Sequence, residues 1–321
     1  VLAAFAARTS ATDPLSALEV GDVPDATAPT GRDDWSVVDV RAASLNHHDL
    51  WSLRGVGLPA DRLPMVLGCD AAGVAGGREV VVHGVVGATG HGVGPAEGRS
   101  ILSERHAGTL AEQVAVPTWN LVDKPAELSF ADAACLPTAW LTAYRMLFRS
   151  AELRPGDRVL VQGAGGGVAS AAIALGAAAG LEVVATSRAA HKREHALATG
   201  AVAAIEPGAR APFRVDAVIE TVGAATWSHS VKALRPGGVI VVAGATSGDQ
   251  PGAELTRVFF TELRVVGATM GSKDELEALL RFLARTGLRP TVDSTYPLVR
   301  AREAFARLES GEQVGKVVVL P

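Results

Sequence analysis

The sequence predicts an α/β chain in which a doubly wound parallel sheet is joined to a β-rich, barrel-like domain. Three observations predict it. From Asp157 onward strand and helix patterns alternate, as a parallel sheet with helices on both faces requires. Before about residue 125 short strands follow one another, separated by turn clusters and not by helices. The 321 residues are 48% hydrophobic and 20% charged, ordinary for a folded protein and long enough that two domains are expected.

In the first stretch Ser36–Arg41 alternates in polarity, Glu79–His83 is a short apolar run, and Glu112–Val116 stops at Pro117. Turns such as Val23-Pro24-Asp25 and Gly76-Gly77 divide them. Ser129-Phe130-Ala131-Asp132 resembles a capping box with Asp in the Glu position, opening a helical stretch to Phe148 that Pro137 is expected to interrupt. The alternation then begins. Val159–Gln162 reads as a buried strand and Val168–Ala179 as an Ala-rich helix stopped by Gly180. Glu182–Thr186 is the next strand, followed by a helix over His191–Thr199 stopped by Gly200. Val215–Glu220, Val239–Ala243 and Leu263–Val266 are the later strands. Ser272-Lys273-Asp274-Glu275 is a full capping box for a helix to about Thr286. After Pro290 the alternation ends. A helix over Arg300–Leu308 leads to the strand Lys316–Leu320, which either extends the sheet or returns to the first domain.

Composition removes several classes. A net charge of -4 with high apolar content argues against disorder. A pI near 6.1 and the lack of a Lys/Arg block argue against a nucleic-acid partner. Every long apolar stretch is broken by glycine, charge or proline before it could span a bilayer, so no membrane partner is expected. The opening apolar run meets Arg8 with no basic leader before it, so a signal peptide is not expected. Two cysteines, Cys69 and Cys135, cannot make a disulfide framework or a four-cysteine zinc lobe. The expected setting is the reducing cytoplasm.

The strongest local signal is Gln162-Gly163-Ala164-Gly165-Gly166-Gly167-Val168-Ala169, between a buried strand and a helix. Glycines there allow a tight turn and let backbone N–H groups approach a pyrophosphate at the helix N-terminus. The spacing departs from G-x-G-x-x-G/A, since Ala164 takes the first place, Gly166 the middle and Ala169 the last. The end of the second strand selects the dinucleotide. An NAD site places Asp or Glu there for the ribose 2′-OH; this chain has Thr186-Ser187-Arg188, with Lys192 one helical turn on. A hydroxyl, a guanidinium and an ammonium suit a 2′-phosphate. The expected cofactor is NADP(H), held by Gly165, Gly166, Gly167, Val168, Ser187, Arg188 and Lys192. The plain alternative makes Arg188 and Lys192 solvated surface charges.

The chain resembles the zinc-type medium-chain dehydrogenase/reductase superfamily, in its quinone oxidoreductase-like branch. The resemblance rests on Leu45-Asn46-His47-His48-Asp49-Leu50-Trp51, Leu67-Gly68-Cys69-Asp70-Ala71-Ala72-Gly73, Leu141-Thr142-Ala143-Tyr144-Arg145 and the glycine loop. Thr221–Trp227, Leu234–Gly238, Gly244–Gly248, Gly267–Gly271 and Gly315–Val318 extend it over nearly the whole chain. It implies a GroES-like catalytic domain over residues 1–125 completed by 290–321, a Rossmann domain over 126–289, and an active site in the cleft. It also implies a homodimer through the Rossmann sheets, with Arg264-Val265-Val266 at the contact. By the same resemblance Asn46 and Asp49 lie beside the nicotinamide and its ribose. Thr138 and Thr142 contact the nicotinamide end or the phosphates, Val222 lies in a matching cofactor stretch, and Gly244, Ala245, Met270 and Gly271 hold the carboxamide by their backbone. His47 or His48 supplies a proton or hydrogen bond to the reduced oxygen. The segment is expected to alternate, so only one of them faces the cleft, and His47 is preferred. Trp51, Trp140, Phe259 and Phe260 are candidates to line an apolar substrate pocket.

The departures bear on metal. Where many relatives carry a cysteine-rich zinc lobe, this chain has Gly87–Pro95 without cysteine. Relatives with catalytic zinc place Cys where Asn46 stands and His-Glu where Cys69-Asp70 stands. The expectation is therefore no bound metal. Without a Lewis acid, acceptors that spread charge themselves are favoured, so the substrate expected is a quinone or an α,β-unsaturated carbonyl. Two other readings stay open: a zinc alcohol dehydrogenase using Cys69, Cys135 and a histidine, and an NADPH-binding relative that has lost turnover.

Overall fold

Val159-Leu160-Val161, Val183-Val184-Ala185 and Val218-Ile219 have no polar face, as strands covered on both sides require, and all are fully buried. The structure, a computed structural model describing residues 1–87 and 99–321, sets them at the centre of a six-stranded sheet. The strands are Arg158–Val161, Glu182–Thr186, Ala203–Ile205, Val215–Glu220, Leu234–Val242 and Arg264–Gly267. Counted in chain order they lie 3-2-1-4-5-6, and every pairing is parallel. The order reverses between the first and fourth strands, so the switch point falls beside the carboxyl ends at Val161 and Glu220. Helices Gly167–Ala178, Ala190–Ala198 and Ala224–Ala233 connect the strands. This is the doubly wound fold read from the alternation.

The sheet belongs to one of two compact units, Trp140–Met270; the other comprises Val1–Ala139 and Gly271–Pro321. In that other unit the long strand Trp35–Ser44 pairs antiparallel with Asp70–Ala75, Gln113–Pro117 and Lys316–Leu320. Arg78–Val82 and Leu121–Asp123 continue the sheet on one side and Val292–Pro297 on the other. A smaller sheet joins Leu2–Ala6 to Leu18–Asp22 and Met65–Val66. Leu18, Leu45, Leu53, Leu67, Leu102, Leu110 and Phe305 fill one core between them. The last strand returns here, with Val318 opposite Ser44 and Val319 opposite Ala43, which decides the choice the sequence left open.

Residues 126–139 and 271–289, counted with the parallel sheet from sequence, fall in the barrel unit. Helix Phe130–Ala134 packs on the strands Trp35–Ser44 and Asp70–Ala75, where its small side chains allow close approach. The α-helix stops at Ala134, and Pro137 interrupts the stretch as expected: it falls in a π-helical turn, Leu136–Trp140, and a second such turn follows the short α-helix Leu141–Arg145. The wider turn accommodates a residue that cannot donate the usual hydrogen bond. Helix Lys273–Thr286 starts with the reciprocal bonds expected of its capping box, Ser272 N to Glu275 Oε2 at 2.8 Å and Glu275 N to Ser272 Oγ at 3.2 Å. Among the described residues no helix is long and apolar enough to cross a membrane. The cysteine-free segment that stands in place of the zinc lobe falls, over 88–95, outside the described residues.

Candidate functional site

In the barrel unit, strand Trp35–Ser44 delivers Asn46 to the start of helix His47–Leu53. His47 and His48 therefore occupy a helix and not the alternating segment expected, and their side chains diverge by a helical step. Asn46 and Asp49 form the capping pair that starts it: the Asn46 N–H donates to Asp49 Oδ2 at 2.8 Å. The other oxygen, Oδ1, accepts the Gly68 N–H at 3.0 Å. Asp49 is fully buried, and burial together with the neighbouring Asp70 pushes its carboxyl up to about 7 against the pull of those two N–H groups. It ties the helix to the connection at Gly68, just before strand Asp70–Ala75, and has no exposed surface.

The Asn46 side chain is fixed from both ends. Its Nδ2 donates to Asp70 Oδ2 at 2.8 Å, and its Oδ1 accepts from Lys316 Nζ at 2.6 Å. The Lys316 ammonium also donates to Leu45 O at 2.7 Å and to Asp70 Oδ2 at 3.2 Å, so each of its three protons has an acceptor. Lys316 is 2% exposed and Asp70 0%. A charge buried that deeply stands only when paired and hydrogen-bonded. Cys69 Sγ lies 3.8 Å from Asn46 Nδ2 and 3.5 Å from Thr138 Oγ1, which brings Asn46, Thr138 and Cys69 together. His47 is kept neutral by burial, with Lys316 and Arg54 acting in the same direction. His48 turns to Glu104, with Nε2 3.8 Å from Oε1, and burial outweighs that carboxylate in lowering its pKa.

At the carboxyl rim of the parallel sheet, Gly163 takes φ +80° and turns the chain from the first strand into the loop. Gly166 caps helix Gly167–Ala178, and a Cβ placed there would meet nothing within 4 Å. The open backbone and the unsatisfied N–H groups of the first helical turn fit a pyrophosphate. Ser187 is buried and Arg188 exposed. Arg193 Nη1 braces the turn by donating to Ser187 O at 2.7 Å and Arg188 O at 3.0 Å. Lys192 reaches back over the glycine loop, since a Cβ at Gly165 would stand 2.7 Å from its Nζ. Val222 packs against Gly163, its Cγ2 3.1 Å from where a Cβ would be. Gly244 and Ala245 are half-buried at the end of the fifth strand. These residues gather on one rim. Thr142 is buried in helix Leu141–Arg145, and Met270 is buried with φ +32°. Gly271, in the barrel unit, has its carbonyl 2.8 Å from Nε2 of the buried His83. Trp140 is core, while Phe259 and Phe260 stand exposed on helix Leu255–Phe260.

The donor set around Cys69 does not suit a catalytic zinc. Burial, with Asp49 and Asp70 nearby, pushes the Cys69 thiol far up. Burial likewise pushes Cys135 up to about 12, and its Sγ donates to Ala131 O at 3.2 Å. Among the described residues no three histidine, cysteine or carboxylate side chains group as a metal would need.

Lys316 and Asp70 escaped sequence reasoning as site residues. Lys316 opens an apolar strand next to Gly315, a position at which lysine is ordinarily solvated. Its partners lie 246 and 270 residues away, which no local pattern shows. Gln162, Thr186, Glu220 and Ser230 are all fully buried beneath the rim; in the sequence Gln162 reads as part of the glycine motif, Thr186 as part of the segment that selects the dinucleotide, and Glu220 and Ser230 only as strand and helix.

Residues 32–126 match the alcohol dehydrogenase GroES-like domain family, and residues 194–319 match the zinc-binding dehydrogenase family. The crystal structure of an NAD-dependent alcohol dehydrogenase is similar at 34% identity, with all of each chain covered and a TM-score of 0.89. A zinc-type alcohol dehydrogenase-like protein of Schizosaccharomyces pombe is 29% identical over 88% of this chain and 90% of its own length. The structure of the 2-octenoyl-CoA carboxylase reductase CinF in complex with NADP and 2-octenoyl-CoA is similar at 27% identity. It covers 99% of this chain and 87% of the other, with a TM-score of 0.87.

Proposed function

Because the chain belongs to the medium-chain dehydrogenase/reductase superfamily of oxidoreductases, we propose that it uses NADPH to reduce a quinone or an α,β-unsaturated carbonyl without a catalytic zinc. The observation that carries this reading is Lys192 laid across Gly165, with Arg188 exposed on the neighbouring turn and no carboxylate at the end of the second strand. Two cations and the Ser187 hydroxyl suit a 2′-phosphate, which a carboxylate would repel. Gly165, Gly166, Gly167 and Val168 present backbone to the pyrophosphate. Val222, Gly244, Ala245, Met270 and Gly271 complete the dinucleotide set, with Thr142. When bound, NADPH supplies the hydride.

Asn46, His47 and Thr138 are assigned to the reacting end. His47, held neutral, keeps one N–H to donate to the oxygen of the reduced acceptor. Asp49, sealed from solvent, acts by positioning Asn46 and His47 at the helix start. The donor set at Cys69 supports zinc-free chemistry. Acceptors that delocalise the incoming electrons need no Lewis acid, and 2-octenoyl-CoA bound by CinF is an acceptor of that kind. The chain is further assigned to a homodimer formed at the open edge strand Arg264–Gly267, beside which Leu255, Phe259, Phe260 and Val265 are exposed. Its unpaired thiols suit a reducing cytoplasm.

The test is oxidation of NADPH and NADH against a panel of quinones, enals and enoyl thioesters. NADPH is expected to be consumed with at least one class. Arg188→Ala is expected to raise KM for NADPH about tenfold or more, the worth of a charge-assisted phosphate contact, and to leave KM for NADH nearly unchanged. Equal effects on both coenzymes would remove the 2′-phosphate assignment.

A further inference from the structure

Beneath the rim runs a chain of hydrogen bonds that the chemistry above does not use. Glu220 ends the fourth strand and is 0% exposed. Its Oε1 accepts the N–H groups of Val222 at 2.8 Å and Gly223 at 3.0 Å. Its Oε2 accepts the Ser230 hydroxyl at 2.6 Å, and Thr226 Oγ1 lies 2.9 Å from both oxygens. Among the described residues no lysine or arginine pairs with this carboxylate. Ser230 Oγ in turn accepts from Gln162 Nε2 at 3.0 Å. The Gln162 Oε1 accepts the Thr186 hydroxyl at 2.8 Å, and Thr186 Oγ1 accepts the Gly163 N–H at 3.2 Å.

The chain has one direction. At one end a backbone N–H can only donate, and at the other a carboxylate only accepts, so the Gln162 amide has a single workable orientation. Its second Nε2 proton meets His229 Nδ1 at 3.0 Å, and His229 Nε2 donates to Ala209 O at 2.9 Å, which fixes that ring's tautomer as well. Burial lowers the His229 pKa, against Ala209 O and Glu220, keeping Nδ1 bare as an acceptor. Linked buried bonds of this kind polarise one another and hold their members in one arrangement.

We infer that Glu220 and Ser230 are positioning residues that couple the glycine loop at Gly163 to the loop at Val222-Gly223 and hold both in the shape that receives the dinucleotide. The inference rests on the cofactor reading above. Neither side chain is exposed, so neither is a catalytic residue. Thr186, at the end of the second strand, spends its hydroxyl inward on Gln162. Discrimination between coenzymes is thereby left to Ser187, Arg188 and Lys192.

The test compares wild type with Ser230→Ala and Ser230→Thr by hydrogen exchange and by binding of NADPH and NADH. Ser230→Ala is expected to speed exchange about tenfold in the peptide containing Gly163 and in that containing Val222 and Gly223, without change in strand Val183–Ala185. The Kd is expected to rise about tenfold for both coenzymes with their ratio preserved, as the loss of one net hydrogen bond predicts, while kcat at saturation holds. Ser230→Thr, which keeps the hydroxyl, is expected to restore wild-type exchange. Should Ser230→Ala not fold, Glu220→Gln answers the same question, since an amide must give up one accepting face. Exchange at Gly163 unmoved by either substitution overturns the proposal, and so does a changed coenzyme ratio. If wild type binds neither coenzyme, the cofactor reading fails, and the exchange experiment still decides whether the two loops are coupled.

Discussion

Asp49 sets a pH dependence of stability of unusual sign for a carboxylate. Its carboxyl is pushed up to about 7 in the fold, against about 3.9 in an unfolded chain. Between those values the folded protein holds a proton that the unfolded chain has lost. The stability it contributes is therefore full below pH 4 and is lost as pH rises through 7, by roughly 4 kcal/mol on the scale of 1.36 kcal/mol per pH unit. Urea unfolding at pH 5 and pH 8 is expected to show a steeper loss in wild type than in Asp49→Asn, in which the group cannot titrate; parallel losses would show that Asp49 is ionised in the fold. The two thiols give a second expectation. With Cys69 pushed far up and Cys135 pushed to about 12 by burial, neither is expected to react with a disulfide reagent at pH 8 until the protein unfolds. Reaction of either in the native state would contradict the protonated, enclosed site. At this scale the sequence is read best where a residue acts locally. Ser272 and Glu275, three apart, are a legible cap, whereas Asn46 and Asp49, equally spaced, sit in a segment that reads as alternating. The Lys316 pairing with Asp70 and Asn46 joins residues distant in the chain and becomes visible only once the last strand is seen to lie beside Trp35–Ser44.

Elements are legible in proportion to their length and periodicity. Val159–Val161, Val183–Ala185 and Val239–Val242 are unbroken apolar runs within strands of the parallel sheet, and helix Lys273–Thr286 carries its start signal in Ser272 and Glu275 and its stop in Gly287 at φ +72°. Ser272→Ala is expected to cost about 1 kcal/mol, lowering Tm by a few degrees in a chain of this size; no change in Tm would mean that the cap adds nothing to that helix in its setting. Helix His47–Leu53, at 7 residues, is too short to show a helical period, and its two histidines read equally well as part of a strand. The interruption at Pro137 is legible because proline cannot continue an α-helix, whereas its form, π-helical turns on either side of Leu141–Arg145, is not.

At the scale of the whole molecule the alternation of strand and helix was sufficient to predict the doubly wound sheet, while the division of the chain was not. Small residues decide where a helix packs, and Phe130–Ala134 goes to the barrel unit because Ala133 and Ala134 bury there. The exposed edge at Arg264–Gly267 predicts a particle of twice 33.0 kDa in solution, which light scattering measures; Val265→Asp on that edge is expected to yield monomer. A monomeric wild type would remove the dimer. We propose that this chain moves hydride from NADPH without a metal. The direct measurement is the rate of NADPH oxidation with quinones and enals after exhaustive chelation, with metal content determined on the same sample. Turnover is expected to survive chelation, with zinc far below one per chain. Turnover that vanishes with the chelator and returns with one equivalent of zinc would contradict it.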